Sequence, residues 1–353
     1  MRGFRYDMQA GRVVFEVGSV AMVRLEVEQL AMQRVAVLCT PGRAALAETI
    51  VHDLGERCAG TYTRAEEHVP RSVVGDALRA VAAWRADGLV AAGGGATVGL
   101  AKAIALETGL PIVAVPTTYS GSEMTPVWGI TDNGKKITGK NFVVKPKTVI
   151  YDPTLTISLP ARVSATSGMN AIAHCVEGLY AENADPVTSL LAEEGIRALA
   201  QSLPLVVTEP ENIGSRSRAL YGAWLAGTVL ATVGMALHHK LCHVLGGTYH
   251  LPHADTHTVV LPHVARYNAG AAPGAMKAVG RALGTSAEDA PGALFDLAQS
   301  MGAPTSLVQV GMAREQLDEA AKLVVQNPYY NPRPIENGAI RRLLQAAYDG
   351  VRP

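Results

Sequence analysis

The feature of this 353-residue chain that most restricts its fold is an alternation of short apolar runs and helical segments in its first half. Strand, glycine turn, helix and strand in this order are typical of a parallel, doubly wound α/β sheet. The predicted strands are RVAVLC (34–39), GLVAAGGG (88–95), PIVAVP (111–116) and KTVIYDP (147–153), and the predicted helices lie at 44–56, 71–86 and 96–109. A hairpin is predicted around Asp132-Asn133-Gly134, because such residues favour tight turns.

The pattern changes beyond Leu159-Pro160, where long helical periodicities replace the apolar runs and the prolines are expected only in connections. The chain is long enough for two domains, each with its own core. We therefore predict an α/β domain over residues 1–157 and an all-helical domain over 158–353; the resemblance described below implies that the first binds NAD(P) and the second binds the substrate.

Charge and cysteine usage narrow the classes of partner and compartment. The formal net charge is zero, so no basic surface for nucleic acid or an anionic membrane is expected. Four cysteines without a CxxC motif indicate free thiols in a reducing compartment, and the N-terminus lacks the apolar core of a signal peptide. The protein is therefore expected to be cytoplasmic, with the uncharged stretch Leu220–Leu237 as a buried core helix rather than a membrane span.

Histidines are concentrated in one segment, since seven of the ten lie between His238 and His263. Residues four apart share a helix face, which pairs His239 with His243 and Asn170 with His174. His253 follows a proline that ends a helix or opens a turn. Converging imidazoles suit proton transfer, metal ligation or an anionic ligand, whereas any single one is as readily a core residue. The remaining members of the segment that lack such spacing, His250, His257 and His263, are interpreted as structural.

A second chemical signal is the glycine turn between a predicted strand and helix, at Gly93, Gly94, Gly95, Ala96 and Thr97. Helix N-termini present free N–H groups, and glycines let a pyrophosphate approach closely, although a glycine triplet can also be only a tight turn. The loop VPTTYSGSEMT follows the next strand at its carboxyl end, where open α/β sheets bind ligands. Its hydroxyls on Thr117, Thr118 and Ser122 are candidate donors to phosphate or ribose.

Four stretches, GGGATVGLAKAIA, PTTYSGSEMTPVWGIT, SGMNAIAHCVEGLY and HHKLCHVLGGTYHLPH, carry a family resemblance. In order and separation they resemble the iron-containing (group III) alcohol dehydrogenase superfamily, most closely its maleylacetate reductase branch. The resemblance spans nearly the whole chain. It implies a dehydroquinate synthase-like architecture, with a dinucleotide-binding α/β domain, a helical C-terminal domain and commonly a homodimer.

The resemblance also implies a ligand set. Metal-dependent members hold the ion with one Asp and three His, and the matching positions here are Asn170, His174, His239 and His253, with His243 as a further histidine of the site. Asn170 departs from the pattern, because an amide lacks the charge that suits a dication. Three histidines can still hold zinc, so the change weakens a metal site without excluding it. The branch is thought to work without metal, and none is expected here.

For such a member the implied reaction is reduction of the conjugated C=C bond of maleylacetate by NADH or NADPH, giving 3-oxoadipate in aromatic compound catabolism. His243 is the preferred proton donor, while His253, His239 and His174 are expected to bind carboxylate or the developing oxyanion. Asn170 keeps the pocket free of a charge that would repel a dicarboxylate.

Four further residues complete the expected site. Lys136 matches a family lysine near the cofactor, Tyr119 is assigned to the substrate, and Arg333 is either a carboxylate clamp or an interdomain tether. Thr40 stands where strictly NAD-dependent members carry an acidic residue, so NADPH should be tolerated beside NADH. Two other readings remain open at this point: a metal-dependent alcohol or polyol dehydrogenase of the same fold, and a non-catalytic nucleotide-binding protein.

Overall fold

A computed structural model of the chain describes Phe4, Tyr6 and residues 11–132, 135–326 and 330–353. The chain divides into two compact units, Gln9–Leu159 and Pro160–Pro353. The sequence pattern placed the change from one to the other near residue 157.

The first unit is built on a six-stranded sheet in which every neighbouring pair is parallel. Its strands are β1 (Arg12–Phe15), β2 (Val35–Leu38), β3 (Cys58–Tyr62), β4 (Gly88–Gly93), β5 (Ile112–Pro116) and β8 (Thr148–Tyr151), arranged in the order β1-β8-β5-β4-β2-β3. The four predicted strands are confirmed. The two strands at the edges, β1 and β3, were not predicted: β1 is only four residues long and no residue in it is fully buried, and β3 contains Gly60 and Thr61.

Helices cover both faces of this sheet, as the doubly wound prediction requires. They are α1 (Val23–Gln29), α2 (Ala44–Leu54), α3 (Arg71–Ala83) and α4 (Gly95–Thr108). Successive residues of a strand point to opposite faces. Val35 and Val37 therefore pack with α1 and α2, whereas Ala36 and Leu38 pack with α3 and α4.

The predicted hairpin is present as two antiparallel strands outside the main sheet, β6 (Val127–Asp132) and β7 (Lys135–Lys140). The two central turn residues, Asn133 and Gly134, lie outside the described residues.

The second unit is helical throughout its described part. Its helices are α5 (Ala161–Gly178), α6 (Pro186–Thr208), α7 (Ile213–Thr232), α8 (Leu237–Tyr249), α9 (His253–Asn268), α10 (Pro273–Leu283), α11 (Ala290–Ser300), α12 (Leu317–Gln326) and α13 (Asn337–Asp349). The expectation that its prolines lie only in connections is wrong, since Pro204 lies inside α6 and Pro262 inside α9. Each proline removes one backbone hydrogen bond, a local cost that the packing of these long helices outweighs.

The uncharged stretch from Leu220 to Leu237 was predicted to be a single helix. In the structure it contains the end of one helix, a bend and the first residue of the next helix. α7 stops at Thr232, and α8 starts at Leu237 at an angle of 96° to it. The side chains of α7 in this stretch are largely buried, which agrees with a core role. Within the described ranges, no single helix is long and apolar enough to cross a membrane, although α7 and α8 together pass that test as a bent pair.

Candidate active site

The first candidate site lies at the carboxyl ends of two paired strands. β4 and β5 run side by side with Gly93 opposite Pro116, so the loops that follow them leave the same edge of the sheet. A Cβ atom on Gly94 would lie 2.9 Å from the Thr118 side chain, and one on Gly93 would lie 2.4 Å from Thr97 Oγ1. Glycine is therefore required at both positions for the loops to meet. Around Gly95, the first residue of α4, no atom lies within 4 Å of such a Cβ, which leaves its helix N-terminus approachable.

The loop that follows β2 is the third loop at this edge of the sheet, on the opposite side of β4 from β5. β2 also pairs with β4, but α2 leaves β2 on one face of the sheet and α4 leaves β4 on the other. Loops that diverge in this way form the topological switch point at which open α/β sheets bind ligands. Thr40, two residues beyond the end of β2, is therefore a neighbour of the glycine turn, and it is half-buried.

The loop after β5 is stabilised by hydrogen bonds from Lys102, a residue that the sequence analysis did not identify. The Lys102 ammonium is buried and donates to the carbonyls of Ser122 (2.6 Å) and Val127 (2.8 Å) and to Thr125 Oγ1 (2.9 Å). Burial lowers the pKa of Lys102 to about 7, an effect that the nearby Glu123 carboxylate opposes. The signal was available in the sequence: Lys102 is the only charged residue in the buried part of α4.

Glu123 completes this network and was also missed. Its carboxylate is fully buried and accepts hydrogen bonds from Tyr151 Oη (2.8 Å) and Ser120 Oγ (2.9 Å). Burial raises the pKa of Glu123 despite these bonds. Lys102 and Glu123 thus fix both ends of the Ser120–Thr125 segment, in which Ser122 is a predicted cofactor residue.

Three predicted site residues of the sheet unit, Thr117, Tyr119 and Lys136, differ in how deeply they are buried. Thr117 and Tyr119 are fully buried after β5, and the substrate role of Tyr119 remains a prediction. Lys136 is exposed on β7.

The second candidate site lies in the helical unit, where imidazoles from three helices meet. α5 carries Asn170 and His174 one turn apart, and α8 carries His239 and His243 in the same way, as predicted. The rings of His174 and His239 stack at 5.1 Å, and His243 lies 6.3 Å from His239. Pro252 does not end a helix, since α8 already stops at Tyr249; it immediately precedes α9, of which His253 is the first residue.

Three polar atoms of the predicted catalytic residues are buried and have no hydrogen-bond partner: Asn170 Oδ1, His174 Nδ1 and His239 Nε2. Buried polar groups are almost always satisfied, so atoms left open at the same place indicate a position for a ligand. These atoms belong to three of the five residues predicted as catalytic.

The residue that orients this cluster is Glu177, one turn beyond His174, which sequence reasoning missed. Its fully buried carboxylate accepts from His239 Nδ1 at 2.7 Å and from three backbone N–H groups at the start of α8, those of Ala236, His238 and His239. The bond fixes the proton of neutral His239 on Nδ1 and leaves Nε2 as an acceptor. The spacing of Glu177 from His174 was a signal for it.

Two more histidines belong to the cluster. His257 was interpreted as lacking partner geometry, which is wrong: it follows His253 by four residues, and their rings lie 4.4 Å apart. His257 Nδ1 also shares a hydrogen bond of 2.9 Å with Nε2 of His238, a residue not predicted for the site. The structural interpretation of the other two remains a prediction; His250 ends α8 in a left-handed conformation, and burial lowers the pKa of His263 to about 4.

Three rings of the cluster are uncharged at neutral pH. Burial, together with repulsion from neighbouring imidazoles, lowers the pKa of His174, His238 and His257 well below the ordinary value. Burial likewise raises the pKa of the Cys175 and Cys242 thiols, so neither is an activated nucleophile.

A cavity of about 510 Å³ opens beside these rings, lined by Met235, His239, Lys240, His243, Val244 and Thr248. His243 is exposed there, in contrast to the buried His239. Lys240, which was not predicted, brings a positive charge to the same wall. The wall thus combines a proton carrier with a cation.

Arg333 lies elsewhere in the helical unit. Its guanidinium stacks 4.1 Å above the Tyr267 ring and donates to the Tyr267 carbonyl at 3.1 Å. It tethers the segment before α13 to the end of α9, a contact within one unit.

Two family models cover most of the chain. Residues 10–153 match the iron-containing alcohol dehydrogenase model, and residues 164–348 match the C-terminal model of the Fe-containing alcohol dehydrogenase family. The chain belongs to the iron-containing alcohol dehydrogenase family, as the sequence resemblance predicted.

Within that family the chain is similar to maleylacetate reductases over its full length. It is 52% identical to the maleylacetate reductase of Burkholderia cepacia over 100% of both chains, and 50% identical to that of Sphingobium indicum over 99% of both. The crystal structure of maleylacetate reductase from Agrobacterium tumefaciens superposes with a TM-score of 0.97 at 47% identity, covering 100% of each chain. These similarities confirm the branch resemblance and make the chain an oxidoreductase.

Proposed function

We propose that this chain is a maleylacetate reductase that uses NADH or NADPH to reduce the conjugated C=C bond of maleylacetate to 3-oxoadipate. Full-length identities of 45–52% to maleylacetate reductases support the substrate. The single observation that carries the proposal is the set of unpartnered buried atoms on Asn170, His174 and His239, which marks a ligand position among the predicted catalytic residues.

The cofactor is assigned to the sheet unit. Gly93, Gly94, Gly95, Ala96 and Thr97 would cradle the pyrophosphate at the start of α4, beside hydroxyls of Thr117, Thr118 and Ser122. Thr40 carries no charge that would repel a 2′-phosphate, so both cofactors should bind. Lys136 remains a candidate for the ribose or substrate. NADH or NADPH bound at this site supplies the hydride.

The family's iron does not fit the residues that this chain offers in its place. Asn170 is neutral, and the three histidines at the matching positions, His174, His239 and His253, bring no negative charge. The adjacent carboxylate of Glu177 is occupied by three backbone N–H groups and His239. Because a dication prefers a carboxylate in its ligand set, no step of the proposed reaction passes through a metal.

The helical unit is assigned the substrate and the proton. The Lys240 ammonium and His253 bind the carboxylates, and the open Nε2 of His239 and Nδ1 of His174 face the substrate. As hydride reaches the double bond, negative charge develops on the ketone oxygen, and N–H donors of the cavity wall, on Lys240 and His243, stabilise it. His243, exposed to solvent on the cavity wall, then delivers the proton and regains one from water. Hydride and proton together account for the two hydrogens of the product.

The test is oxidation of NADH and NADPH with maleylacetate, run with and without prior chelator treatment. We expect turnover with both cofactors and no loss of kcat on chelation. Activity only with simple alcohols or aldehydes, abolished by chelator, would instead support a metal-dependent alcohol dehydrogenase. We also propose a homodimer on the family resemblance, which light scattering of the purified protein tests.

A further inference from the structure

Three side chains whose nitrogen or sulfur atoms are typical ligands of soft or borderline metal ions lie next to His239. They have no part in the proposed reaction. His238 and Cys242 stand one turn apart on α8, and His257 faces them from α9. All three are buried. Among the residues that the structure describes, they form the group of His, Cys, Asp and Glu side chains whose ligand atoms all lie within 4.8 Å of one another.

The ligand atoms are close to the spacing of a tetrahedral metal centre. His238 Nε2 lies 2.9 Å from His257 Nδ1 and 3.8 Å from Cys242 Sγ. Zinc binds nitrogen at about 2.0–2.1 Å and thiolate sulfur at about 2.3 Å, which places tetrahedral ligand atoms roughly 3.3–3.6 Å apart. The two rings need to separate by only a few tenths of an ångström to admit the ion.

The charges around the cluster also suit a cation. Cys242 bound as thiolate supplies a negative charge within the ligand set itself, which partly offsets a dication in a region where water cannot. The positions matching the family's iron, by contrast, begin with the neutral Asn170.

We infer that His238 Nε2, Cys242 Sγ and His257 Nδ1 form a binding site for a thiophilic divalent cation such as Zn²⁺, distinct from the family's iron position. On binding, the Cys242 thiol loses its proton to solvent, and the proton of the hydrogen bond between the two rings moves to the other nitrogen of its own ring, so both imidazoles stay neutral. The hydrogen bond between the two rings is replaced by two nitrogen–metal bonds that cross-link α8 to α9. The site stands whether or not the chain reduces maleylacetate.

The test uses Co²⁺ as a spectroscopic probe of the full-length protein after chelator treatment and dialysis. We expect a thiolate-to-cobalt charge-transfer band that saturates at one ion per chain and is displaced by Zn²⁺. Cys242→Ser should abolish the band, and Zn²⁺ should raise the Tm of the parent protein but not of this variant. Cys175→Ser, which changes another buried cysteine, is the matched control and should keep both effects.

A second pair of variants separates this site from the family position. His257→Asn should lose the band, whereas His253→Ala, which removes a residue of the matching set, should keep it. The inference is overturned if the parent protein shows no thiolate band, or if the band survives Cys242→Ser. It is also overturned if His253→Ala abolishes the band while His257→Asn retains it. If a variant fails to fold by circular dichroism, the band of the parent protein and its Cys175→Ser control still decide the question.

Discussion

The two candidate sites differ in which groups form them, since backbone groups form the first and side chains form the second. In the sheet unit, the glycine turn and its neighbouring loops present backbone N–H groups whose positions follow from strand order, and buried Lys102 and Glu123 hold the loops from below. In the helical unit, side chains of α5, α8 and α9 form the site, and Glu177 sets the ring of His239. The first site should therefore govern cofactor affinity with little effect on the chemical step, and the second should do the reverse.

The largest expected effect comes from His243, the proposed proton donor. His243→Ala should lower kcat with maleylacetate by roughly 10²–10⁴-fold, the usual contribution of a general acid. Because the residue lies in the helical unit, the Kd for NADPH, measured by fluorescence quenching, should stay unchanged. His250→Asn, which replaces an exposed histidine at the end of the same helix, is the matched control and should retain normal kcat.

Two outcomes would break the comparison at this point. A kcat near that of the parent protein would remove His243 from the proton-donor role. A Kd for NADPH that rises in step with the loss of kcat would show that the helical site also holds the cofactor.

A smaller effect is expected from Glu177, which acts on the substrate through His239. Glu177→Gln keeps the size of the side chain but replaces an acceptor of the His239 Nδ1–H bond with an amide that can turn its N–H toward the ring. This change favours the other tautomer and costs about 10–100-fold in kcat, as for other residues that orient a functional histidine. The pH profile of kcat should shift as well, an effect that a purely structural role would not produce.

The control for this variant is Glu182→Gln, an exposed carboxylate just beyond the same helix. It should leave both kcat and its pH profile unchanged. Equal kcat in the Glu177→Gln and parent proteins, at matched folding by circular dichroism, would contradict the orienting role.

The same contrast explains what could be read from the sequence. Spacing within one element was sufficient for the central strands and for the pairs Asn170/His174 and His239/His243. Contacts between different elements could not be predicted in this way. The hydrogen bond between His238 and His257 joins two helices, and the residue spacing within either helix does not indicate it. The edge strands β1 and β3 were missed because β1 is only four residues long with no fully buried residue, and β3 contains Gly60 and Thr61.

Lys102 shows a further limit. A lysine within a helical run is ordinarily read as a solvated residue, and only the packing of α4 against the 122–127 segment places its ammonium among four acceptors. Sequence composition gives the charge, but tertiary structure decides whether that charge is buried.

The smallest expected effect is on cofactor affinity and comes from Lys102 in the sheet unit. Lys102→Met should raise the Kd for NADPH by at most about tenfold, since the loop after β5 loses its support while the glycine turn remains. The kcat at saturating cofactor should not change, because no reacting group is touched. Lys147→Met, an exposed lysine of the same unit, is the control and should alter neither quantity.

Lys102 also gives stability a pH dependence whose sign can be stated. Its pKa is about 7 in the folded chain and 10.5 in the unfolded one. Between these values the unfolded state holds more protons, so stability rises with pH by up to about 1.4 kcal/mol per unit. Below pH 7 both states are protonated, and the full cost of burying the charge remains. From pH 7 to 9 the Tm of the parent protein should therefore rise relative to that of Lys102→Met. Parallel Tm curves would mean that the four acceptors and Glu123 keep Lys102 protonated, so that the sheet unit, like the helical unit with Glu177, holds a fully buried charge.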